Sequence, residues 1–236
     1  MRIILTILLI ATASMASFGQ QHPFFDEADA FFKTYVKDGK VDYDRLKDES
    51  AELEKLVNMI NEHPQLEGDE QKAFLINAYN ILANKMALDH YPKSDSILGV
   101  DGFFDSEIFE VNQERVSLDK LEKEQLGGDN EDPLLHLSLV CSANGCPKLP
   151  SRAYTPNGLD AQLEEQARMV INDTAFTKVD EKTGQLQLSQ IFEWYEDDFG
   201  GKEGVKEFIK KYYNGKIKDI DNYGHYEYDW SINKAE

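Results

Sequence analysis

Long apolar runs are missing from this chain. The one run that stands out, Ile3 to Ala11, is far short of the roughly 20 apolar residues a membrane-spanning helix needs. Basic residues are scarce as well: 25 Lys and Arg face 44 Asp and Glu, a formal net charge of −19. Such a surface repels nucleic acid and anionic lipid, so no nucleic-acid partner is expected. Cysteine is limited to Cys141 and Cys146. Also absent are GxGxxG, GxSxG, HExxH and a Walker loop, which excludes the usual signatures of nucleotide, serine-hydrolase and zinc-protease chemistry. There is no internal repeat, low-complexity tract or interdomain linker.

What is present begins with MRIILTILLIATASMASFGQQ. One Arg, a short apolar run and then small residues make a secretory signal pattern. Cleavage fits after Ala16 or after Gly19, with Gly19 preferred. No Cys follows the run, so a lipid anchor is not indicated. Residues 1–19 are therefore expected to be a signal peptide and 20–236 a single domain, exported to the periplasm or beyond, with no stable membrane insertion after cleavage. Its 24 basic and 44 acidic residues read as a solubility device.

Helical periodicity covers FFDEADAFFKTYV (24–36), a second helix from VDYDRL to Asn61 that His63-Pro64 breaks, and a third from about Glu70 to His90, stopped at Tyr91-Pro92. IFEV (108–111) and Val116 bracket a hairpin, and Ser117-Leu118-Asp119 starts a charged helix ending at Gly127-Gly128. LLHLSLVC (134–141) reads as a strand, followed by the Gly- and Pro-rich loop CSANGCPKLPS. GLDAQLEEQARMVIND (158–173) is helical, AFTKV and QLQL flank a hairpin turn, and SQIFEWYEDDF and VKEFIKKYY read as helices. HYEYDWSIN (225–233) reads as a terminal strand. The fold class is α+β: N-terminal helices with a central buried helix on a small, mainly antiparallel sheet.

The third helix poses a question. AFLINAYNILANKMAL (73–88) is apolar on nearly every side, as a core helix is, yet carries Asn77, Asn80 and Asn84. At about 100° per residue these amides form one narrow stripe, and buried amides need partners. On an unbroken strand His136 and Ser138 share the polar face, opposite Leu135, Leu137, Leu139 and Cys141. One cleft lined by the two polar surfaces is the economical expectation; the alternative is that the amides satisfy loop carbonyls.

His136 beside the two cysteines is the chemistry on offer. In an exported protein two nearby Cys most often pair, and Asn144-Gly145 would let the short ring close. A nucleophilic Cys instead needs a base, for which His136 serves; strand parity favours Cys146. His136, Cys141 and Cys146 could also ligate zinc, but the spacing is loose and a fourth ligand is lacking, so neither metal nor cofactor is expected. DIDNYGHYEYDW (219–230) departs from a calcium loop in ending on Trp230. Trp194 and Tyr195 read as core or cleft wall, and Asp198 as an orienter of His136.

KAFLINAYN, HLSLVCSANGCP, LSQIFEWYEDDF and YDWSIN, in that order, resemble the bacterial family called domain of unknown function 547, with VDYDRL and SLDKLE similar to its weaker motifs. The resemblance spans roughly residues 40–233 and implies a site at Asn77, Tyr79, Asn80, His136, Cys141, Cys146, Pro147, Trp194, Tyr195, Asp198 and Phe199. Leu134 stands where the family usually has Arg. Plant relatives keep only the first Cys, which favours Cys141 as the functional sulfur. A layout of amide-bearing helix followed by a His-bearing strand is also distantly similar to papain-like and transglutaminase-like hydrolases.

Two functions follow as expectations. One is a cysteine- and histidine-dependent hydrolase or acyl transferase on peptide or amide bonds, with His136, Cys141 or Cys146, and Asn77 or Asn80 as candidate catalytic groups. The other is a non-catalytic module with a Cys141–Cys146 disulfide, binding a small molecule or peptide. Tyr79, Asn84, Ser138, Trp194 and Asp198 are the candidate ligand-binding residues.

Overall fold

The computed structural model describes residues 22–62, 66–106, 108–111, 114–127, 132–180, 182–183, 185–215, 217, 220 and 223–236. The expected signal peptide at 1–19, the His63-Pro64 break, the hairpin tip at Asn112-Gln113, and Asp219 and Asp221 of the calcium-like loop lie outside those residues.

Helix α1 (Pro23–Tyr35) places Pro at its first turn and lets the His22 ring accept from the Phe24 amide. Its buried stripe is Phe24, Phe25, Ala28, Phe31, Phe32 and Tyr35. A hairpin of β1 (Val36–Lys37) and β2 (Lys40–Val41) leads to α2 (Tyr43–Asp48), capped by Asp42, and α3 (Ala51–Asn61). The sequence predicts one helix here; the structure has two. Between Leu46 and Leu53 only Ala51 is apolar, so no packed side chain holds the intervening turn in line.

Helix α4 (Gly68–His90) is the axis of the molecule, and from Ala73 to Leu88 every residue but Lys85 is buried. Fully burying side chains such as Phe74, Ile76, Ile81 and Leu82 contributes about 1.5–3 kcal/mol each. Helix α4 packs against α2, α3, the short α5 (Leu118–Lys120) and the wide turns of Leu121–Gly127. The antiparallel pair β3 (Phe109–Val111) and β4 (Glu114–Val116) precedes α5, as the sequence predicts.

The segment 134–141 is not a strand. Asp132 starts a turn by accepting from the Leu134 amide through its side chain and from the Leu135 amide through its carbonyl. A 3-10 turn follows at Leu135–Leu137, and the Ser138 hydroxyl donates back to the Leu134 carbonyl at 2.9 Å. Leu135, Leu137, Leu139 and Val140 are all buried, so the segment has no solvent face and its alternation carries no strand meaning. With no strand at 134–141, parity gives Cys146 no preference over Cys141.

A buried stretch without a ladder must find partners for its backbone. Side-chain amides supply them. Asn80 donates to the Ser138 carbonyl at 3.0 Å and accepts from the Val140 amide at 2.7 Å, pairing around Leu139 as a neighbouring strand would. Asn77 donates to the Tyr154 carbonyl at 2.8 Å and accepts from the Tyr154 amide at 3.0 Å. Asn84 accepts from the Tyr43 and Ser142 hydroxyls at 3.1 and 3.0 Å. From the far side Gln166, on α6 (Leu159–Ile171), donates to the Leu137 and Lys148 carbonyls. Asn77 and Asn80 thus face loop backbone while Asn84 faces two hydroxyls, and a loop rather than a sheet covers that side of α4.

The remainder is β5 (Thr177–Asp180), β6 (Gln185–Ser189), α7 (Ile191–Trp194), α8 (Gly201–Tyr212) and β7 (Tyr223–Tyr226). β5 and β6 are antiparallel, while β7 adds parallel to β6. The helix predicted over SQIFEWYEDDF stops at Trp194 and continues as turns to Gly200, where φ is +88°. After β7 the chain runs extended through residues 228–235, bonding to Val41, Asp95, Ile97, Ser142, Asn144 and Gly145 in turn. No helix among the described residues is long and apolar enough to cross a membrane.

Asn in a helix interior costs up to about 0.7 kcal/mol relative to Ala, so its retention rests on its hydrogen bonds. Asn80→Ala leaves a buried N–H and a buried C=O unpaired, and is expected to lower stability by about 2–4 kcal/mol. Urea unfolding followed by circular dichroism checks this; a loss under 1 kcal/mol means that the amide does not hold the loop.

Candidate functional site

The turn that begins at Asp132 delivers His136 into the interior, where Tyr195, just beyond α7, stacks on its ring with centroids 3.8 Å apart. His136 Nε2 lies 3.1 Å from Asp198 Oδ2 and its Nδ1 lies 3.9 Å from Glu122 Oε1. Burial lowers the His136 pKa from its ordinary value, outweighing the opposing pull of Asp198. Burial thus works against a positive charge on this ring. Asp198 stands in the orienting position expected of it.

Glu122 projects from the turns after α5 and is buried, with the Tyr195 hydroxyl donating to Oε1 at 2.7 Å. Burial raises its pKa, while hydrogen bonds from the Tyr195 and Tyr79 hydroxyls work the other way. A carboxyl and an imidazole displaced in opposite directions within one cleft make it the candidate functional site.

The two sulfurs lie beside them, at disulfide distance from each other. The Cys141 amide donates to Cys146 Sγ at 3.1 Å, and the Tyr228 hydroxyl lies 3.0 Å from Cys146 Sγ and 3.4 Å from Cys141 Sγ. Tyr228 reaches them because residue 145 is glycine: a Cβ there would come within 2.8 Å of the Tyr228 ring. Ser142 holds a left-handed φ of +63°, costly for a residue with a Cβ, and its hydroxyl bond to Asn84 steadies it. The loop is further clamped by the Asn144 and Gly145 amides, which donate to the Ser231 and Asp229 carbonyls at 2.8 and 2.7 Å.

These groups surround a cleft of about 190 Å³. Of the expected site residues, Tyr79, His136, Cys141, Cys146, Trp194 and Tyr195 line it, Asp198 and Phe199 flank His136, and Pro147 does not line it. Asn77, Asn80, Asn84 and Ser138 are held in the loop contacts described above and are not among its lining. Sequence reasoning did not single out Glu122, Asp119, Phe104, Tyr228 or Trp230, all of which line it. Glu122 sat in a charged helix that reads as solvated; its one signal was the apolar pair Leu118 and Leu121 beside it.

A larger cleft of about 470 Å³ opens on the other side of the 141–146 loop and shares Cys146. Lys148 there is matched by Asp38 at 3.0 Å and Asp173 at 3.3 Å. The smaller cleft is the better candidate, because the displaced acid and base converge there rather than in the larger one. Among the described residues no group of three or more His, Cys, Asp and Glu is placed to hold a metal ion.

Comparison with known proteins bears on the same region. The family described as "Protein of unknown function, DUF547" matches residues 64–171, from α4 through α6. The chain is similar to that family over this segment, a little under half of its length. Its matched segment contains the amide stripe, Glu122, His136 and both cysteines, whereas Trp194, Asp198, Tyr228 and Trp230 lie beyond it. No curated protein and no solved structure matches the chain.

The displaced Glu122 carries a pH signature. Its pKa is raised on folding, so the folded state holds its proton more tightly than the unfolded state, whose value is near 4.5. The folded state is then favoured below pH 4.5 and loses that advantage as pH rises through the folded pKa. Tyr79, Tyr195, Asp119, Lys123 and His136 face this carboxyl and set the folded value. Glu122→Gln removes the titration, so urea midpoints should show the variant gaining on the parent as pH rises from 4.5 to 8. A difference independent of pH contradicts the assignment.

Proposed function

We propose that this chain is an exported, non-catalytic binding module, whose ligand enters the cleft between His136, Glu122 and Trp194 and whose Cys141–Cys146 loop is held by a disulfide. The observation that carries the reading is the orientation of the reactive groups. The His136 nitrogens are turned towards the carboxylates of Asp198 and Glu122, and the sulfurs towards each other. The amides of Asn77 and Asn80 are bonded to loop backbone, so they are not free to hold an oxyanion. A short ring adds little chain-entropy stabilisation, so its role here is to shape the loop that Tyr228 rests on. Export follows from the leader pattern of residues 1–19 and suits a paired cysteine.

One observation favours the second reading, a cysteine-dependent hydrolase or acyl transferase on peptide or amide bonds. In a reduced protein, Cys146 Sγ would receive both the Cys141 N–H and the Tyr228 hydroxyl, and two donors stabilise a thiolate. His136 lines the same cleft.

Intact mass after iodoacetamide at mildly acidic pH separates the two. The binding reading predicts no adduct without reductant and two slow adducts after it. One rapid adduct on the non-reduced protein contradicts it and installs the hydrolase reading.

A further inference from the structure

We infer that the ligand of this cleft carries an organic ammonium group, an inference that rests on the binding reading above and names its ligand class. Both tryptophans of the chain, Trp194 and Trp230, line the cleft. Their rings stack at 5.6 Å, and Tyr228 packs on them at 5.0 and 4.5 Å. Phe104 meets Trp230 edge-on at 6.2 Å. Trp194 is 47 % exposed, although it stands at the rim of an aromatic cluster that could have covered it. An exposed aromatic wall beside carboxyl groups attracts cations through the ring faces and offers little to an anion.

The polar lining points the same way. Asp119 and Glu122 supply two carboxyl groups, and no Lys or Arg is among the cleft's lining residues. Asp119 pairs with Lys123 at 3.1 Å on the outer turn, which leaves Glu122 as the deep acid. Burial of His136 disfavours a positive charge on its ring. A neutral ligand offers these carboxyl groups no charge in return. A cation returns an ion pair inside a partly desolvated site. The chain's net charge of −19 draws cations to the surface at long range.

Size narrows the class. At about 190 Å³ the cleft is smaller than the roughly 300–1,000 Å³ pockets that enclose drug-sized ligands. It suits a compact head group, free or at the end of a larger molecule.

Because Trp194 and Trp230 are the chain's only tryptophans, intrinsic tryptophan fluorescence reports on this site alone. The full chain, non-reduced, is titrated with choline and with its neutral carbon isostere 3,3-dimethyl-1-butanol. Choline is expected to bind saturably and at least about tenfold more tightly than the isostere. Trp194→Leu keeps apolar bulk at an exposed position and removes the ring face, so it should abolish the preference while folding normally. Glu122→Gln should reduce it several-fold.

Equal or tighter binding of the isostere overturns the cation assignment and leaves the binding reading standing. So does choline binding that Trp194→Leu leaves unchanged, since the cation would then sit elsewhere. No response to either probe also overturns the cation assignment. The binding reading itself fails only if Cys141 or Cys146 is rapidly alkylated in the non-reduced protein, a result independent of choline.

Discussion

Everything in this fold depends on one constraint: α4 is buried on all sides and carries three amides that water cannot reach. Apolar burial fixes where the helix lies but says nothing about what must cover it. The amides do. Each needs a donor or acceptor of the right polarity at about 3 Å, and apart from the Tyr43 hydroxyl at Asn84 the surface that meets the need is the irregular chain from residue 134 to 154. That chain has the complementary difficulty, a buried backbone without a ladder. The two requirements cancel, and the outcome is a loop held nearly as firmly as a strand but free to follow a path that no strand could.

The path is what builds the site. Because residues 134–138 turn rather than extend, His136 enters the interior instead of alternating with the leucines, and the chain arrives at Cys141 aimed at the C-terminal segment. Ser142 accepts a left-handed backbone there, anchored by Asn84. Gly145 then allows Tyr228 to lie against the loop, with its hydroxyl near both sulfurs. Elements far apart in sequence thus meet around one small cleft: α4 gives Tyr79, the turns after α5 give Glu122, and the last ten residues give Trp230. Its electrostatics follow from the same packing. Burial favours the uncharged forms of Glu122 and His136, opposed on Glu122 by the Tyr195 and Tyr79 hydroxyls and the Lys123 charge and on His136 chiefly by Asp198.

Much of this was legible in the sequence. Caps and breakers located α1, α4 and α6 to within a few residues, because local chemistry decides helix ends. The amide stripe was visible as a buried polar line, and the second of its two explanations, satisfaction of loop carbonyls, is the one found in the structure. The 134–141 segment was misread because alternation of apolar and polar residues is evidence for a strand only when one face is wet; here both faces are buried, and Asp132 and Ser138 redirect the backbone through side-chain bonds that periodicity cannot register. The break between α2 and α3 escaped the sequence reading because the run between Leu46 and Leu53 is helix-forming in composition yet has only Ala51 to pack, so nothing holds its turn in line. Glu122 was hidden among charged neighbours. Tyr228 and Trp230 carry no local sign of a cleft, because their role exists only once the C-terminal segment crosses the 141–146 loop.

The central claim, that side-chain amides of α4 hold a buried loop in place of a sheet, is tested most directly by native-state hydrogen exchange at single amides. Val140 and Tyr154 lie outside any regular element, and their N–H groups bond to Asn80 and Asn77 side chains. Both should exchange only through global unfolding, as slowly as the core of α4. In Asn80→Ala, Val140 should lose that protection by orders of magnitude while Tyr154 keeps much of its own. Exchange of both amides at ordinary loop rates in the parent protein would contradict the account.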